Sequence, residues 1–423
     1  MKIQLHLVLI SVTLLTFSCA ENKVDNKEKL IDKEIERKDV IEMSKKSVKE
    51  NAKKEIPKHY EHKYVTKRSG LNYMDSPNGN VLGELPLNTY LKILTNTNIS
   101  EQIEDGDKKI NGEWVGVEIN SDTVYVFNGY LSNNYITSDL KLYNVSPFYK
   151  ERDGRTRNAF LNVSETYFED AYNGISDSYR NSIFTESDLQ NDTIRLSSSQ
   201  RKKFLEYSSI SEFDKAFVYL LPSGEIQTYA IKDLQVIACI NPYGAGDYGN
   251  IESDYMLGFD LNKSISNWDD NIAYIGKENP FLKGQLKPII WTEIENSQFP
   301  IVQDLETLNN NLSSYIFSTD KFNYFLQKAS ERAGSFHIVI IDKETKLEVL
   351  NKYYYDSEGT YLTGLNIAGI DNEGRHQSQW TGKLFKNKAI VVFDFLGYSF
   401  GCPRITILDK KEPEIQILCD NRH

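Results

Sequence analysis

The chain is poor in cysteine and has no apolar run long enough to span a membrane as a helix. Four cysteines are spread over 423 residues, and none stands in a CxxC or Cys/His spacing of the kind that binds zinc. The longest apolar run, residues 5–17, is far shorter than the roughly 20 residues of a transmembrane helix. The sequence therefore predicts no metal site and no cofactor, and it excludes a disulfide-dense scaffold.

Acidic side chains outnumber basic ones, 60 to 49, and the formal net charge is −11. Residues 21–63 carry 13 basic and 11 acidic side chains, so the acidity is concentrated in the rest of the chain. An acidic body is a poor partner for phosphate backbones, which argues against nucleic-acid binding. A hydrophobic content of 40% and an aromatic content of 12% suffice for packed cores. The length predicts two or three domains.

The first twenty residues have the pattern of an export signal. Lys2 precedes the apolar run, which ends in Leu15-Thr16-Phe17-Ser18-Cys19-Ala20. A small residue followed by cysteine resembles the lipobox of bacterial lipoproteins. That resemblance implies that residues 1–18 are a signal peptide and that Cys19 is lipidated, which anchors the chain to a membrane of the cell envelope. The alternative is a secreted protein cleaved after Ala20. Both readings place the mature protein outside the cytoplasm.

Residues 19–63 are predicted to form a charged tether between the anchor and the first domain. Charges of both signs alternate from Glu21 onward, and no glycine occurs before Gly70. The apolar residues keep no steady helical period, so the pattern favours a solvated, partly helical spacer over a coiled coil. His59 and His62 form an H-x-x-H that, alone in a lysine-rich linker, is interpreted as a solvated pair and not as a metal site.

Residues 64–137 have the texture of a small β-barrel. Turn clusters, such as Asp75-Ser76-Pro77-Asn78-Gly79, separate short runs in which apolar residues alternate with polar ones. The runs at 90–94, 114–119 and 123–127 are predicted strands. About five short strands in 70 residues are expected to curl into a barrel, which removes their free edges.

The order of motifs in this segment resembles the bacterial SH3 (SH3b) family. The matching pieces are Ser69-Gly70-Leu71-Asn72, Val81-Leu82-Gly83-Glu84-Leu85, Gly112-Glu113-Trp114-Val115-Gly116-Val117 and Gly129-Tyr130-Leu131-Ser132-Asn133-Asn134-Tyr135-Ile136. The family commonly binds cell-wall peptides or other peptides in an aromatic-edged groove. The resemblance therefore implies a binding module with that class of ligand.

Two departures from the family bear on its ligand. Tyr73-Met74 stands where the family often has an arginine, and a polar insertion at 95–111 is expected to lengthen the loop before Trp114. Groove aromatics are expected among the tyrosines of the predicted strands, with barrel core as the alternative. The tentative ligand-binding residues are Tyr73, Tyr90 and Tyr125, whereas Trp114 and Tyr130 favour the core.

Residues 138–423 alternate strand-like and helix-like runs without a repeat, which predicts an α+β domain with an antiparallel sheet. The overall fold class predicted is thus mainly β or α+β, with a small SH3-like barrel before a larger domain. The predicted strands are 216–221, 234–240, 337–341, 389–396, 405–408 and 415–418, and the predicted helices are 199–207, 302–312 and 321–332. The last helix has Ser318 or Thr319 as cap and Gly334 as stop.

Two glycine patterns suggest catalysis, and both lack the context that it requires. Gly397-Tyr398-Ser399-Phe400-Gly401 is a G-x-S-x-G, but a predicted strand follows it where a hydrolase nucleophile needs a helix. Residues 244–249 form a G-x-G-x-x-G, but Asn241-Pro242-Tyr243 separates it from the preceding strand, so a connecting loop is favoured over a dinucleotide site.

Single residues give equally little support for chemistry. Cys239 stands in a strand-like apolar run, where a buried thiol is expected. His337 or His376 could lie beside it only through the tertiary fold, and no sequence pattern predicts that contact. Asp260-x-Asn262-x-Ser264 lacks the glycine and the glutamate of a calcium loop. No catalytic residue is therefore predicted.

Cys402 and Cys419 lie on either side of a turn near Lys410-Lys411-Glu412-Pro413. A hairpin centred on that turn brings the two cysteines together across the ladder. In an oxidising compartment the sequence predicts a disulfide between them.

These features lead to two hypotheses. The first is an envelope lipoprotein that uses its SH3b-like module to bind cell-wall or protein ligands. The second is a hydrolase of cell-wall or polysaccharide material with two carboxylates, about 5–10 Å apart, in a cleft of the C-terminal domain. The sequence alone does not identify such a pair. Its presence in a cleft would favour the hydrolase, and its absence would favour the binding protein, which is the leading hypothesis.

Overall fold

Strands dominate the part of the chain that the structure, a computed structural model, describes. These residues are 60–106, 108–149, 157–168, 182–241, 250–264, 271–300, 312–329, 334–370 and 379–421. They belong to a unit that spans Tyr60–His423, distinct from Met1–His59. The signal peptide, most of the tether, the glycine pattern at 244–249, His376 and the predicted helix 302–312, except Leu312, lie outside the described residues.

Seven strands form an N-terminal half-barrel around one apolar core. They are β1 (His62–Val65), β2 (Leu71–Met74), β3 (Val81–Leu85), β4 (Tyr90–Asp105), β5 (Lys108–Ile119), β6 (Asp122–Phe127) and β7 (Leu131–Ser132). Their order is β3-β2-β6-β5-β4-β1-β7, which leaves β3 and β7 as unjoined edges. Trp114 and Tyr130 lie in the core, as the sequence indicates.

The polar insertion at 95–111 is a hairpin arm and not a lengthened loop. β4 and β5 stay paired as far as Asp105 and Lys108. Side chains of the arm return to the core residues, since Trp114 Nε1 donates to Glu101 (2.8 Å) and the Tyr130 hydroxyl donates to Asp105 (2.8 Å). Burial and the Asp105 carboxylate raise the pKa of Tyr130 to about 12.

A large, mainly antiparallel sheet follows the half-barrel. Its order is β10-β13-β14-β9-β8-β27-β26-β24-β23-β16, with β15, β11 and β12 branching from β8. The first members are β8 (Leu142–Tyr149), β9 (Arg157–Asn162), β10 (Thr193–Arg195), β11 (Lys215–Leu220), β12 (Glu225–Ala230), β13 (Gln235–Ile240), β14 (Tyr255–Ser264), β15 (Asn271–Gly276) and β16 (Leu286–Pro288). The others are β23 (Trp380–Gly382), β24 (Val391–Phe393), β26 (Arg404–Ile407) and β27 (Ile415–Leu418).

Helices are few among the described residues. The two α-helices are α1 (Ser164–Tyr167) and α2 (Ser198–Tyr207), and the 3-10 turns are Asn128–Tyr130, Asp188–Gln190, Ile231–Asp233, Glu252–Asp254 and Asn296–Gln298. α2 confirms the predicted helix 199–207, because Ser197 and Gln200 form a capping box at its start. None of the helices in the described ranges is long and apolar enough to cross a membrane.

A five-stranded antiparallel sheet packs over a hydrophobic core of its own. It contains, in this order, β17 (Thr292–Ile294), β18 (Leu312–Ser318), β19 (Phe322–Ala329), β20 (Ser335–Asp342) and β21 (Glu348–Tyr355). The predicted helix 321–332 is wrong, because β19 occupies most of that range. Phe322, Tyr324 and Leu326 alternate toward the core, and β18 and β20 pair with the strand on both sides.

The C-terminal hairpin confirms the predicted disulfide. β26 and β27 pair with Arg404 opposite Gln416, and Cys402 is bonded to Cys419 just beyond the ladder. The predicted strand 389–396 divides in two, because Asp394 adopts a φ of 75°. β24 stays in the large sheet, and β25 (Leu396–Tyr398) pairs with β22 (Thr360–Leu362). The remaining predicted strands are present, so the fold is mainly β with antiparallel sheets.

Candidate functional site

A cleft of about 730 Å³ separates β21 from the strands near the C-terminus. One wall is formed by residues 352–355 of β21, and the other by β25, β26 and the residues around the disulfide. Tyrosine is the most frequent side chain of the lining, contributed by Tyr353, Tyr354, Tyr355 and Tyr398. We call this space the tyrosine cleft. It is of the size that small ligands or parts of chain-like ligands occupy in proteins.

A partly buried ion pair lines the cleft, with 34% of the Lys352 side chain and 13% of the Glu414 side chain exposed. Lys352 Nζ is 2.6 Å from Glu414 Oε1, and the Thr406 hydroxyl donates to the same oxygen. The other oxygen, Oε2, accepts a hydrogen bond of 3.0 Å from the Tyr135 hydroxyl. Both oxygens of the carboxylate therefore have hydrogen-bond partners, as a charge with little access to solvent requires.

The pKa values of this pair favour the charged forms. Burial alone would raise the pKa of Glu414, but the Lys352 ammonium and the hydrogen bonds from Lys352, Thr406 and Tyr135 lower it overall. Burial would lower the pKa of Lys352, but Tyr354 and Glu414 raise it overall. A general acid needs a carboxyl group that stays protonated near neutral pH. Glu414 is thus suited to holding the cleft together and not to donating a proton.

The tyrosines have two environments. Tyr354 is buried against Phe395, with ring centroids 5.2 Å apart, and burial raises the pKa of Tyr354. Tyr353 and Tyr355 lie on the opposite face of β21, where Tyr355 is 55% exposed. Tyr353 stacks on His337 at 4.0 Å and on Tyr355 at 6.0 Å. A row of stacked rings therefore follows the outer face of the strand and offers flat apolar contact.

His337 is a structural part of that row. Its Nε2 lies 2.8 Å from Asn351 Oδ1, and its buried Nδ1 has no hydrogen-bond partner within the part of the chain that the structure describes. Burial lowers the pKa of His337, so the neutral ring is favoured. The ring belongs to a strand and lies between Phe299 and Tyr353. This arrangement gives it a packing role.

A second group of aromatic rings lies on the half-barrel. The Tyr90 ring is 58% exposed and stacks on His62 at 4.9 Å with an angle of 6° between the planes. Tyr64 is 4.9 Å from Tyr90 and 5.5 Å from Tyr135. The Arg404 guanidinium lies 4.8 Å from the centre of the Tyr135 ring. The group therefore reaches from the half-barrel to β26, at the boundary of the tyrosine cleft.

The three tentative ligand residues have different surroundings. No ring contact joins Tyr73, Tyr90 and Tyr125, all of which are described. Tyr73 covers Gly83, where an added Cβ would lie 2.6 Å from the Tyr73 hydroxyl oxygen. Tyr125 is half-buried beside Gly116. Of the three, only Tyr90 belongs to the aromatic group, and sequence reasoning missed His62 and Tyr64, which alternate along β1.

The rejected catalytic patterns stay without support. Gly397 is part of β25, and the chain proceeds from Ser399 to β26 without a helix. Cys239 is a buried free thiol in β13, and burial raises its pKa to about 12. Asp260 accepts a hydrogen bond of 2.8 Å from Asn158. Within the described ranges no group of three or more His, Cys, Asp or Glu residues is arranged to hold a metal ion.

Comparisons with known proteins give no relative from which to transfer a function. No family model matches the chain. No curated protein and no solved structure matches it either.

Proposed function

We propose that the chain is a lipid-anchored protein of a bacterial cell envelope that binds cell-wall or peptide ligands without cleaving them. Cys19 is the anchor in this proposal, and residues 19–63 are the tether. The half-barrel is an SH3b-type module in this proposal, a view supported by the buried Trp114 and by the seven strands around one core. The exposed rings of Tyr90 and His62 supply its ligand contacts.

The observation that carries the proposal is which side chains line the tyrosine cleft. Its lining offers aromatic faces, and its buried carboxylate, Glu414, is held ionised by Lys352. Glu165 also borders the cleft, but one of its oxygens accepts the Cys419 main-chain N–H at 3.3 Å. Such a lining suits recognition of a ligand better than proton transfer. The disulfide beside the cleft is typical of exported proteins.

The test is sedimentation of the full chain with purified, insoluble cell wall, followed by analysis of the supernatant for soluble fragments. We expect retention of the protein without release of fragments. Tyr90→Ala should weaken retention about tenfold, the equivalent of about 1.4 kcal/mol. Phe213→Ala is the matched control, because Phe213 is also an exposed ring but lies outside the aromatic group.

Two results would contradict the proposal. Soluble fragments in the supernatant would mean that the chain is a hydrolase, and the carboxylates Glu165 and Asp394 of the cleft lining would then be the first to replace. A chain that neither sediments with the wall nor releases fragments would exclude the wall as its ligand.

A further inference from the structure

β21 is the last strand of its sheet, and among the described residues part of its backbone has no hydrogen-bond partner. The Asp356 N–H donates to Gly334 across the β20–β21 register, which pairs Tyr354 with Phe336 and Lys352 with Ile338. Hydrogen-bonded and non-hydrogen-bonded pairs alternate along an antiparallel ladder. Lys352 and Tyr354 therefore bond to β20, whereas Asn351 and Tyr353 direct their main-chain N–H and C=O groups away from the sheet.

Two observations support this assignment. Side chains approach most closely in non-hydrogen-bonded pairs, and the rings of Tyr353 and His337, which face each other in the register, are only 4.0 Å apart. Among the described residues no hydrogen bond reaches the main-chain groups of Asn351 or Tyr353. The open edge is therefore at least three residues long, centred on Lys352.

The open edge lies in a groove. Residues 352–355 line the tyrosine cleft, and residues 348–352 line a second cavity of about 300 Å³. Every residue of β21 thus faces one cavity or the other. The groove is bounded at one end by half-barrel residues 86–89 and the turn at 409–414, and at the other end by the residues around Cys402.

The usual protections of an edge strand are absent from this part of β21. Proteins commonly block such edges with outward charges, prolines or bulges. Residues 351–355 contain no proline, and the bulge lies at the other end of the strand, near Ile340 and Ile341. The one charge is that of Lys352, and its ammonium is turned inward to Glu414.

We propose that β21 binds an extended peptide segment of a partner protein as a sixth strand of this sheet. The exposed donors and acceptors recur at every second residue, about 6.6 to 6.8 Å apart, and the backbone of an extended peptide repeats with the same spacing. A saccharide chain has no such series. The edge is flanked by half-barrel residues 86–89, the turn at 409–414 and the residues around Cys402, which a second copy of this chain would have to pass, whereas an extended segment needs only to lie along β21.

The two faces of the bound strand would meet different surroundings. Side chains on one face point into the tyrosine cleft, where Tyr398 and Phe393 form part of the lining. Side chains on the other face lie beside the stacked rings of Tyr353 and Tyr355. The expected ligand is therefore a peptide with aromatic or aliphatic residues at alternate positions. Binding of a peptide along β21 requires neither the lipid anchor nor a ligand on the half-barrel.

Amide hydrogen exchange of the full chain without ligand tests the premise. The amides of Asn351 and Tyr353 should exchange rapidly, and those of Lys352 and Tyr354 should be protected by β20. Equal protection of all four amides would mean that the edge is already covered, which would overturn the proposal.

Binding is tested with a display library of random twelve-residue peptides, selected against the full chain. The selected peptides should protect the amides of Asn351 and Tyr353. Tyr353→Pro removes the outward N–H without touching the β20 ladder, and Tyr353→Val removes the ring but keeps that N–H. We expect at least tenfold weaker binding to Tyr353→Pro than to Tyr353→Val.

A second form of the probe keeps the test decisive if the proline variant does not fold. Two forms of the selected peptide are N-methylated, one at its odd and the other at its even residues, so that one of them loses the N–H groups that face β21. That form should bind the unaltered chain at least tenfold more weakly than the other. Equal binding by both peptides, failure to select any peptide, or a dimer of the chain formed through β21 would each overturn the proposal.

Discussion

Glu414 accepts hydrogen bonds from side chains that come from three separate parts of the chain. Tyr135 follows the half-barrel, Lys352 is part of β21, and Thr406 is part of β26. Glu414 is 279 positions from Tyr135 and 62 from Lys352. One carboxylate therefore links the half-barrel, the five-stranded sheet and the C-terminal hairpin.

We expect Lys352→Met to destabilise the chain by about 1 to 2 kcal/mol, because it removes the partner of the Glu414 carboxylate, although the Lys352 side chain is itself 34% exposed. The double variant Lys352→Met with Glu414→Gln should recover much of that loss, since no unpaired charge remains. The measurement is urea unfolding at neutral pH of the unaltered chain, Lys352→Met, Glu414→Gln and the double variant. A single variant as stable as the unaltered chain would contradict the proposed role of the pair.

The same pair determines how stability changes in acid. Because the pKa of Glu414 is lowered in the folded chain, its contribution is complete above the unfolded value, about 4.5, and is lost as the pH falls through the folded value. Repeating the urea series between pH 7 and pH 3 should show a smaller loss for Glu414→Gln than for the unaltered chain. Parallel losses in both proteins would exclude this contribution.

The sequence predicts the burial of a single residue, or a bond across a nearby turn, better than it predicts contacts between residues that are far apart in the chain. The apolar run around Cys239 predicts a buried thiol, and the turn between Cys402 and Cys419 predicts their bond. Both signals are local. Lys352 and Tyr135 both contact Glu414 beside the tyrosine cleft, and no regular spacing in the sequence predicts these contacts. The sequence indicates Tyr90 as a ligand-binding residue, but it places the stacking partner of Tyr90, His62, in the solvated tether.

At the level of elements, local signals decide α2 but not β19. Ser197 and Gln200 cap α2 in the way the sequence suggests. Residues 321–332 have a similar cap and stop, yet the strand β19 forms there. The reason is tertiary, because neighbours pair with it along both edges and bury Phe322, Tyr324 and Leu326. Such partners are distant in sequence, and a window of ten residues does not contain them.

The disulfide is an element-level constraint, because it joins the two ends of the β26–β27 hairpin. Replacing Cys402 and Cys419 with alanine should lower the free energy of unfolding by about 3 kcal/mol, the value for a loop of roughly 15 residues. Urea unfolding measures the loss, and Cys239→Ala is the control for removing a cysteine. In the denatured, unreduced chain, thiol labelling that finds two further thiols besides Cys239 and Cys19 would show that the bond is absent.

At the level of the whole molecule, the proposed membrane anchor gives a role to the charged segment. That segment separates Cys19 from the first described strand, which begins at His62. In the proposal, a tether of about 40 residues would reach over tens of ångströms. Such reach would serve a binding surface that must meet a ligand beyond the membrane, and it has no evident use in a freely diffusing protein.

The anchor is tested by Cys19→Ala. Acyl chains contribute about 0.8 kcal/mol for each buried CH₂ group, so a doubly acylated chain stays on the membrane. We expect the unaltered chain to sediment with membranes after a high-salt wash, and Cys19→Ala to appear in the soluble fraction. The wash matters because charge attraction alone is weakened by salt. Cys239→Ala should sediment like the unaltered chain, since that thiol is buried in β13. If Cys19→Ala remained with the washed membranes, the chain would be held by something other than a lipid on Cys19, and the tether would need another explanation.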